Sequence, residues 1–240
     1  MAKTLVVVGA GPGVGRAVAE RFGREGFRVG LIARNGERLD AMVGDLAAQG
    51  IEAAAFPADV RDRTGLASAL KQAIARFGAI DVLEYSPTGT SENLRSPREM
   101  TADNEQYHLD ICVLGAITAV NAALPAMVGR EGAAILFTTA ASAQFPVPFT
   151  ASFGVAAGAS LNYARVLHQD LAPEGIHVGI LSIAGLVVPP GREQGRSAKG
   201  LSLMTAEQVA ERLWAMARER GPVESIIGDT EVLRRYSAAP

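Results

Sequence analysis

The sequence contains little cysteine, little lysine and few aromatic residues. Cys112 is the only cysteine among 240 residues, so an internal disulfide is excluded, as is usual for proteins of a reducing compartment. Aromatic residues make up 5% of the chain, and Lys3, Lys71 and Lys199 are the only lysines. The net charge is −2 with the basic residues scattered, which argues against a nucleic-acid partner or an acidic membrane surface. The first apolar run, 4–8, is too short for a signal peptide, and we predict a cytoplasmic protein.

Charge is absent from a long central stretch. No side chain from Gly132 to Ala164 is charged, and within it "TASFGVAAG" (150–158) would place Phe153 and Ala157 on one face of a helix. A second uncharged run, 111–128, is just long enough to span a bilayer. Because this run holds asparagine and proline and is rich in small residues, we favour helices and strands buried inside a protein over a membrane span.

Apolar runs and helical patterns alternate along the chain, and the alternation predicts one α/β domain over residues 1–240. Strands are predicted at 4–8, 28–33, 51–58, 80–86, 133–139, 177–183 and 224–228. Helices are predicted at 13–25, 37–49, 64–77, 101–127, 150–171 and 205–219. Repeated βα units indicate a single Rossmann-type, doubly wound parallel sheet of about seven strands with helices on both faces. The long loop near 187–204 is expected at the carboxyl ends of the strands, where ligands bind in such sheets.

A glycine-rich turn, "GAGPGVG", joins the first predicted strand to the first predicted helix. Glycines allow a tight turn and the close approach of a pyrophosphate, and the helix N-terminus offers free N–H groups and a positive dipole end. In this strand–turn–helix context the pattern favours a dinucleotide site over a simple tight turn. The predicted contacts here are Gly9, Gly11, Pro12, Gly13, Val14 and Gly15.

The second predicted strand ends in "LIARN", which favours NADP(H) over NAD(H). An NAD site usually has an acidic residue here that holds the ribose hydroxyls, whereas this chain has Ala33 followed by Arg34. An arginine at this place can hold a 2′-phosphate. We therefore predict that Arg34 and Asn35 contact NADP(H), the alternative for Arg34 being a solvated surface residue.

These motifs resemble the short-chain dehydrogenase/reductase family over nearly the whole chain. Gly9, Gly13 and Gly15 match that family's G-x-x-x-G-x-G turn, and Asp59 and Val60 match its adenine-contacting Asp-Val pair. The segments "GAITAVNAALPAM", "LAPEGIHV" and "TAEQVAERLWAM" also resemble the family's pattern. The resemblance implies the Rossmann-type fold and an NADP-like ligand.

The resemblance also implies subunit pairing and further site residues. Subunits of the family pair through the helices that correspond to 101–127 and 150–171, so a homodimer or homotetramer is expected. The family's Asn-Asn-Ala-Gly segment reads Tyr85, Ser86, Pro87 and Thr88 in this chain. Ser86 and Pro87 are expected to contact the dinucleotide, and Tyr85 either packs in the core or contacts the nicotinamide.

The family transfers hydride between nicotinamide and a carbonyl or alcohol, and the resemblance places its four catalytic residues on positions that are replaced. The tyrosine position is Phe153, the lysine position Ala157, the serine position Ala140 and the asparagine position Cys112. Phenylalanine has no proton to transfer, and a tyrosine would need a neighbouring cation to act near neutral pH. No Tyr-x-x-x-Lys occurs anywhere in the chain. We therefore assign no catalytic residue and no metal ligand.

Neighbouring side chains leave an alternative open. Thr139 and Ser142 flank Ala140, and either hydroxyl can polarise an oxygen, although hydroxyls at a strand end ordinarily bond to backbone. His108 lies one helical turn before Cys112, and a lone histidine at a helix start is ordinarily a surface residue or cap. Three functions remain. The first is an NADP(H)-binding sensor, regulator or inactive partner subunit, and the second is an NADP-dependent oxidoreductase or non-redox enzyme that acts on a small molecule at a rebuilt site. The third, family-typical oxidoreduction with the catalytic positions misaligned, ranks lowest because a shift of a few residues still finds no Tyr-x-x-x-Lys.

Overall fold

The structure of the protein is a computed structural model that describes residues 2–89, 91–189 and 191–238. The strands are β1 (Thr4–Val8), β2 (Arg28–Ile32), β3 (Ala53–Ala55), β4 (Val82–Tyr85), β5 (Ala134–Ala140), β6 (His177–Val187), β7 (Ser202–Met204) and β8 (Glu224–Gly228). The α-helices are α1 (Val14–Gly23), α2 (Gly36–Ala47), α3 (Arg63–Phe77), α4 (Ala102–Leu109), α5 (Gly115–Ala123), α6 (Ala151–Leu171), α7 (Ala206–Glu219) and α8 (Glu231–Ala238).

One parallel sheet organises these elements. Seven strands pair in the order β3-β2-β1-β4-β5-β6-β8, and β7 pairs with the last residues of β6 at the carboxyl edge of the sheet. The direction of winding reverses between β1 and β4, and ligands bind at such a reversal in doubly wound sheets. The predicted doubly wound parallel sheet of about seven strands is confirmed.

Helices cover both faces of the sheet, which explains the unbroken apolar runs in its strands. All five residues of β1 are buried. Val6 and Val8 pack in the core beneath α3, α5 and α6, whereas Leu5 and Val7 pack in the core beneath α1, α2 and α7. A strand that is buried on both faces needs apolar residues at every position rather than at every second one.

Side-chain caps fix where several helices begin. The side chains of Asn35, Asp62, Thr101 and Thr205 each accept a backbone N–H from the first turn of α2, α3, α4 and α7, respectively. Thr205 and Gln208 form a reciprocal capping box. These residues satisfy N–H groups that lack partners inside the helix, so local sequence sets the helix starts near the predicted positions.

The helix predicted over 101–127 is present over Ala102–Ala126 and contains one turn of a different kind. A π turn at Asp110–Leu114 separates α4 from α5. Such a turn shifts the backbone hydrogen bonds by one residue, and side chains then take part in satisfying its carbonyls. Three hydroxyls donate to carbonyls of this segment: Tyr85 to Ile111, Ser160 to Cys112 at 3.1 Å and Thr118 to Leu114 at 2.8 Å.

By length and composition, Ala102–Ala126 is also the one helical stretch in the described part of the chain that qualifies as a membrane span. A buried helix of a protein core passes the same test, and here 33% of the most apolar window is buried within the chain. The stretch packs against α3 and α6. Our choice of helices within a protein interior over a membrane span stays a prediction.

The carboxyl-terminal part of the chain contains structure that was not predicted. The strand expected at 177–183 continues to Val187, and β7 pairs with this extension. α8 follows β8, and its Leu233 is buried in a small third core beside Val147 and Leu201. The long loop after β6 therefore lies at the carboxyl edge of the sheet and is partly ordered by β7.

Candidate functional site

A groove of about 210 Å³ lies at the carboxyl ends of β1, β2 and β4, where the winding of the sheet reverses. Its walls come from the turn after β1, the end of β2, the segment after β3 and the segment after β4. It contains many of the residues predicted to contact the dinucleotide: Gly9, Gly11, Arg34, Asp59, Val60, Ser86 and Pro87. Their roles as dinucleotide contacts stay predictions.

Two glycines of the turn have no room for a side chain. Gly9 has a φ of +100°, and a Cβ on it would lie 2.7 Å from the backbone nitrogen of Pro87. A Cβ on Gly15 would lie 2.6 Å from the carbonyl oxygen of Gly9. Gly9 therefore lets the turn after β1 pack directly on the chain that leaves β4, and Gly15 lets the first turn of α1 pack on the turn after β1.

The other predicted contacts flank the groove. Pro12 and Gly13 line a neighbouring cleft whose other wall is the loop after β6. Gly15 is buried in the first turn of α1, which begins at Val14. Asn35 caps α2 by accepting the N–H of Arg38 at 2.9 Å. The structure thus assigns a structural role to Asn35.

Charge in the groove is concentrated on one carboxylate and two arginines. Arg61 donates to Asp59 at 2.9 Å, and this hydrogen bond lowers the pKa of Asp59 against the opposing effect of burial. Arg34 is exposed at the rim and also favours the charged form of Asp59. The Arg61 guanidinium lies 5.7 Å from the centroid of the Tyr107 ring, a cation–π distance.

Arg61 and Tyr107 line the groove, and the sequence argument missed both. Arg61 could have been predicted from its position directly after Val60. The segment that follows a strand in such a sheet lies at the carboxyl edge, where ligands bind. Nothing local marked Tyr107, since α4 brings it to the groove from a distant part of the chain.

A second, mainly apolar cavity of about 450 Å³ lies next along the same edge, at the carboxyl ends of β5 and β6. Ala140, Ser142 and Phe153 all line it. The structure therefore brings together the positions that the resemblance assigns to the serine and the tyrosine. Ala157 is fully buried and Thr139 is 9% exposed, and neither belongs to the cavity wall.

Tyr85 is packed in the interior, and Cys112 is half-buried. The Tyr85 side chain is 3% exposed, and its hydroxyl donates to the carbonyl of Ile111. Its burial raises its pKa well above the usual value. Of the two interpretations left open for Tyr85, the structure shows core packing. Burial also raises the pKa of the Cys112 thiol to about 12, so this thiol stays protonated at neutral pH.

His108 is buried, which corrects the expectation of a surface residue or cap. Its side chain is 1% exposed, and its Nε2 lies 3.1 Å from the carbonyl oxygen of Asn93. Its ring lies 6.0 Å from the ring of Phe153 in an edge-to-face arrangement. Long-range packing of α4 against α6 buries this histidine, and the local sequence gives no sign of it. His108 thus stands directly behind the position that the resemblance assigns to the tyrosine.

Glu84 is a fully buried acid beneath the dinucleotide groove. Ser86 donates to one carboxyl oxygen at 3.1 Å and Thr138 donates to the other at 3.4 Å. Burial raises the pKa of Glu84 to about 8, and the two hydroxyls oppose this shift only in part. The carboxyl group is therefore largely neutral at pH 7, and Ser86 connects it to the groove wall.

The family model for short chain dehydrogenases matches residues 3–196. 3-Dehydrosphinganine reductase TSC10B of Arabidopsis thaliana is 32% identical over 182 residues, which cover 73% of this chain and 52% of that protein. Oxidoreductase UcpA of Escherichia coli K12 is 28% identical over 180 residues, which cover 75% of this chain and 67% of that protein. The matched region thus spans about half the length of the plant protein.

Two solved structures have the same fold. A short chain oxidoreductase with an atypical catalytic center from Pseudomonas aeruginosa PAO1 superposes with a TM-score of 0.83 at 22% identity, covering 94% of this chain and 95% of that one. That protein has also been solved with NADPH bound. L-Sorbose reductase of Gluconobacter frateurii, solved with NADPH and L-sorbose, superposes with a TM-score of 0.84 at 20% identity and 95% coverage of both chains.

Proposed function

The chain belongs to the short chain dehydrogenase family, and we propose that it is a member that binds NADP(H) but lacks the family's proton-transfer residues. The observation that carries the proposal is the contrast between two neighbouring sites. The groove at the ends of β1 and β4 keeps the glycine turn, an arginine and the Asp-Val pair. The adjacent cavity presents Ala140 and Phe153 where the family's serine and tyrosine would act.

The charge distribution of the groove supports NADP(H) over NAD(H). Arg61 forms the ion pair with Asp59. In the described part of the chain, no carboxylate lies within ion-pair distance of Arg34, so its donors are available for a 2′-phosphate. An acid that would hold free ribose hydroxyls is also missing at the end of β2, where Ala33 stands. The NADPH complex of the P. aeruginosa neighbour supports the same choice.

The replaced residues support a binding, regulatory or inactive-partner role. A positioned general acid is worth roughly a hundred- to ten-thousand-fold in rate, and Phe153 has no proton to give. The wall around Phe153 is mainly apolar, and Ala157 supplies no cation that would hold the nicotinamide ribose. We infer that the nicotinamide half of the ligand is held more loosely than the adenosine half.

A second candidate function is an NADP-dependent enzyme with a rebuilt site, and His108 is the observation that favours it. Its ring contacts Phe153 from behind, and its Nδ1 is buried without a hydrogen-bond partner in the described part of the chain. An imidazole beside a cavity is one of the side chains that can serve as a general acid or base. Loss of NADPH-dependent turnover in His108→Ala would support this candidate.

We further propose the following organisation. Residues 1–240 form a single dinucleotide-binding domain to which the ligand-site loop near 187–204 belongs. The chain forms a homodimer or homotetramer, acts in the cytoplasm, and binds neither nucleic acid nor membrane. The single cysteine supports the cytoplasmic location, and the scattered charge supports the absence of nucleic-acid and membrane binding.

Replacing Arg34 is expected to weaken the binding of NADP⁺ selectively. In wild type, NADP⁺ should bind at least tenfold more tightly than NAD⁺, because hydrogen bonds to charged groups contribute about 1.5–3 kcal/mol each. Adenosine 2′,5′-bisphosphate should retain most of the affinity. Arg34→Asp should remove the preference for NADP⁺ over NAD⁺. Lys71→Asp makes the same charge change at an exposed position of α3 and should keep that preference. Titration calorimetry measures all three proteins, and equal affinities of wild type for NAD⁺ and NADP⁺ would contradict the Arg34 assignment.

Subunit pairing is expected to depend on the outer face of α6. Val155 and Val166 are 53% and 56% exposed, and they lie three helical turns apart on one face. Exposed apolar side chains that share one face of a helix fit a subunit interface. The double variant Val155→Glu, Val166→Glu should shift the protein to a 25.0 kDa monomer in light scattering, whereas Ile226→Glu on β8 should leave pairing through α6 intact. A monomeric wild type at micromolar concentration would contradict the proposal.

A further inference from the structure

Glu84 is a fully buried acid on the inner strand β4. It pairs in register with Val7 of β1 and Leu136 of β5, so its side chain lies with theirs on the face of the sheet that α1 and α7 cover. Its hydrogen-bond donors among the described residues are the hydroxyls of Ser86 and Thr138. Removing a carboxyl group from water is costly, and this residue is neither a predicted dinucleotide contact nor a replaced catalytic position.

No charged group stabilises an ionised Glu84 in the described part of the chain. The charged residues of α1 and of the first half of α7 are all at least partly exposed: Arg16, Glu20, Arg21, Glu207, Glu211 and Arg212. Neither they nor the charged residues of the groove, Arg34, Asp59 and Arg61, contribute to the pKa of Glu84. The two hydroxyls therefore favour the charged form by themselves, and burial outweighs them.

Ser86 links Glu84 to the dinucleotide groove. It directly follows β4, and its backbone N–H donates to the carbonyl of Val8 at 2.9 Å, which holds it beside the end of β1. A Cβ on Gly9 would lie 2.9 Å from the carbonyl carbon of Ser86, so the glycine turn packs against it. Its hydroxyl donates to Glu84 at 3.1 Å, and the residue lines the groove. A serine hydroxyl has one proton to donate, so Glu84 and a ligand oxygen compete for it.

The protonation state of Glu84 decides what Ser86 offers to the groove. A neutral carboxyl group is itself a donor: its O–H can point to the Ser86 oxygen, and the Ser86 proton is then free for a ligand oxygen. An ionised carboxylate only accepts, so it holds the Ser86 proton, and its negative charge opposes an anionic ligand in the groove above it. Burial raises the pKa of Glu84 to about 8, so the neutral form prevails at pH 7.

We propose that Glu84 is a positioning residue that makes dinucleotide binding depend on a proton. Neutral Glu84 donates to Ser86, and Ser86 donates to an oxygen of the bound NADP(H). The dinucleotide therefore binds the protonated protein, and binding at alkaline pH takes up from solvent the proton that Glu84 has lost. The inference rests on the proposed function, because the ligand that Ser86 meets is the dinucleotide.

Titration calorimetry with NADP⁺ between pH 7 and pH 9 measures this dependence on the full-length protein. One linked proton with a pKa of about 8 should weaken the apparent affinity about tenfold over this range. At pH 8 about half of the Glu84 side chains are ionised, so binding should take up about half a proton. Heats measured at pH 8 in HEPES and in Tris, whose ionisation enthalpies differ, give this proton count directly and require no variant.

Three variants assign the proton to Glu84. Glu84→Gln, whose amide donates to Ser86 at every pH, should bind NADP⁺ equally well at pH 7 and pH 9 and take up no proton. Ser86→Ala should weaken binding at pH 7 about threefold to tenfold, because the link to the ligand is lost. Glu105→Gln is the matched control. Burial also raises the pKa of Glu105, but this residue lies on α4 and its carboxyl oxygens have no hydrogen-bond partner among the described residues. The control should keep the pH dependence and the proton uptake of wild type.

Four results bear on the inference. A wild-type affinity for NADP⁺ that stays constant from pH 7 to pH 9, or a pH dependence that persists in Glu84→Gln, would overturn it. An unchanged affinity of Ser86→Ala at pH 7 would also overturn it. If NADP⁺ binds to wild type without proton uptake, this inference alone fails and the proposed function stands. If NADP⁺ binds at no pH, the proposed function fails and the inference fails with it.

Discussion

Restoring the four replaced residues in one chain is expected to raise NADPH-dependent carbonyl reduction at least about a hundredfold over wild type. The variant combines Cys112→Asn, Ala140→Ser, Phe153→Tyr and Ala157→Lys. The tyrosine supplies a proton, and the lysine lowers the pKa of its phenol from near 10 toward neutrality. Ala140 and Phe153 line one cavity, so the new serine and tyrosine hydroxyls would face the same carbonyl.

The controls for this variant separate the chemistry from general effects. The triple variant that keeps Phe153 should stay as slow as wild type, because it has no phenol. Phe153→Tyr alone should also stay slow, since an unassisted phenol remains protonated and the ribose remains loose. Tyr85 does not obstruct the site, because its hydroxyl is bound to Ile111 inside the core. A fourfold variant that is no faster than the triple variant would contradict the assignment of Phe153 and Ala157.

The free energy of unfolding of wild type is expected to fall between pH 5 and pH 8 relative to that of Glu84→Gln. The pKa of buried Glu84 is raised to about 8 from an ordinary value of 4.5, so in this window the folded state holds a proton that the unfolded state has lost. Stability therefore decreases with rising pH, by at most about 1.4 kcal/mol per pH unit, and levels off above pH 8. In the Glu84→Gln variant the side-chain amide keeps Ser86 and Thr138 as partners but does not titrate.

Urea unfolding of the two proteins at several pH values measures this effect. Other titrating groups contribute equally to both proteins, so the difference between them isolates Glu84. A difference that stays constant from pH 5 to pH 8 would contradict the neutral, buried carboxyl group. Both proteins should be measured without NADP⁺, because Ser86 lines the dinucleotide groove.

The sequence predicted the sheet well because the signal for its strands is local. A run such as "TLVVV" predicts a strand covered on both faces, and β1 is that strand. The sequence-based prediction missed elements that form only through contacts with distant parts of the chain. β7 has only three residues and exists because the loop folds back onto the extension of β6. The π turn at Asp110–Leu114 likewise depends on hydroxyls such as those of Tyr85 and Ser160, which other elements supply.

The candidate site likewise contains residues that the sequence predicted and features that only the folded structure shows. Gly9, Arg34 and Asp59 were predictable because each follows, within about four residues, a strand of the sheet, and all three line the groove. Tyr107 and the burial of His108 were not, since both depend on how α4 packs across the sheet edge. The raised pKa of Glu84 was also out of reach, because only the folded structure shows that this acid is fully buried with two hydroxyls as its hydrogen-bond donors.

Hydride transfer by the wild-type protein tests the central claim most directly. The protein is saturated with NADPH that carries deuterium at C4 and is incubated with a panel of simple ketones and quinones. Mass spectrometry of the alcohols then measures deuterium incorporation. We predict tight binding of the labelled NADPH with no incorporation above the level without protein. Stereospecific transfer to a ketone, lost in Thr139→Val or His108→Ala, would contradict the account and show that the site was rebuilt for catalysis.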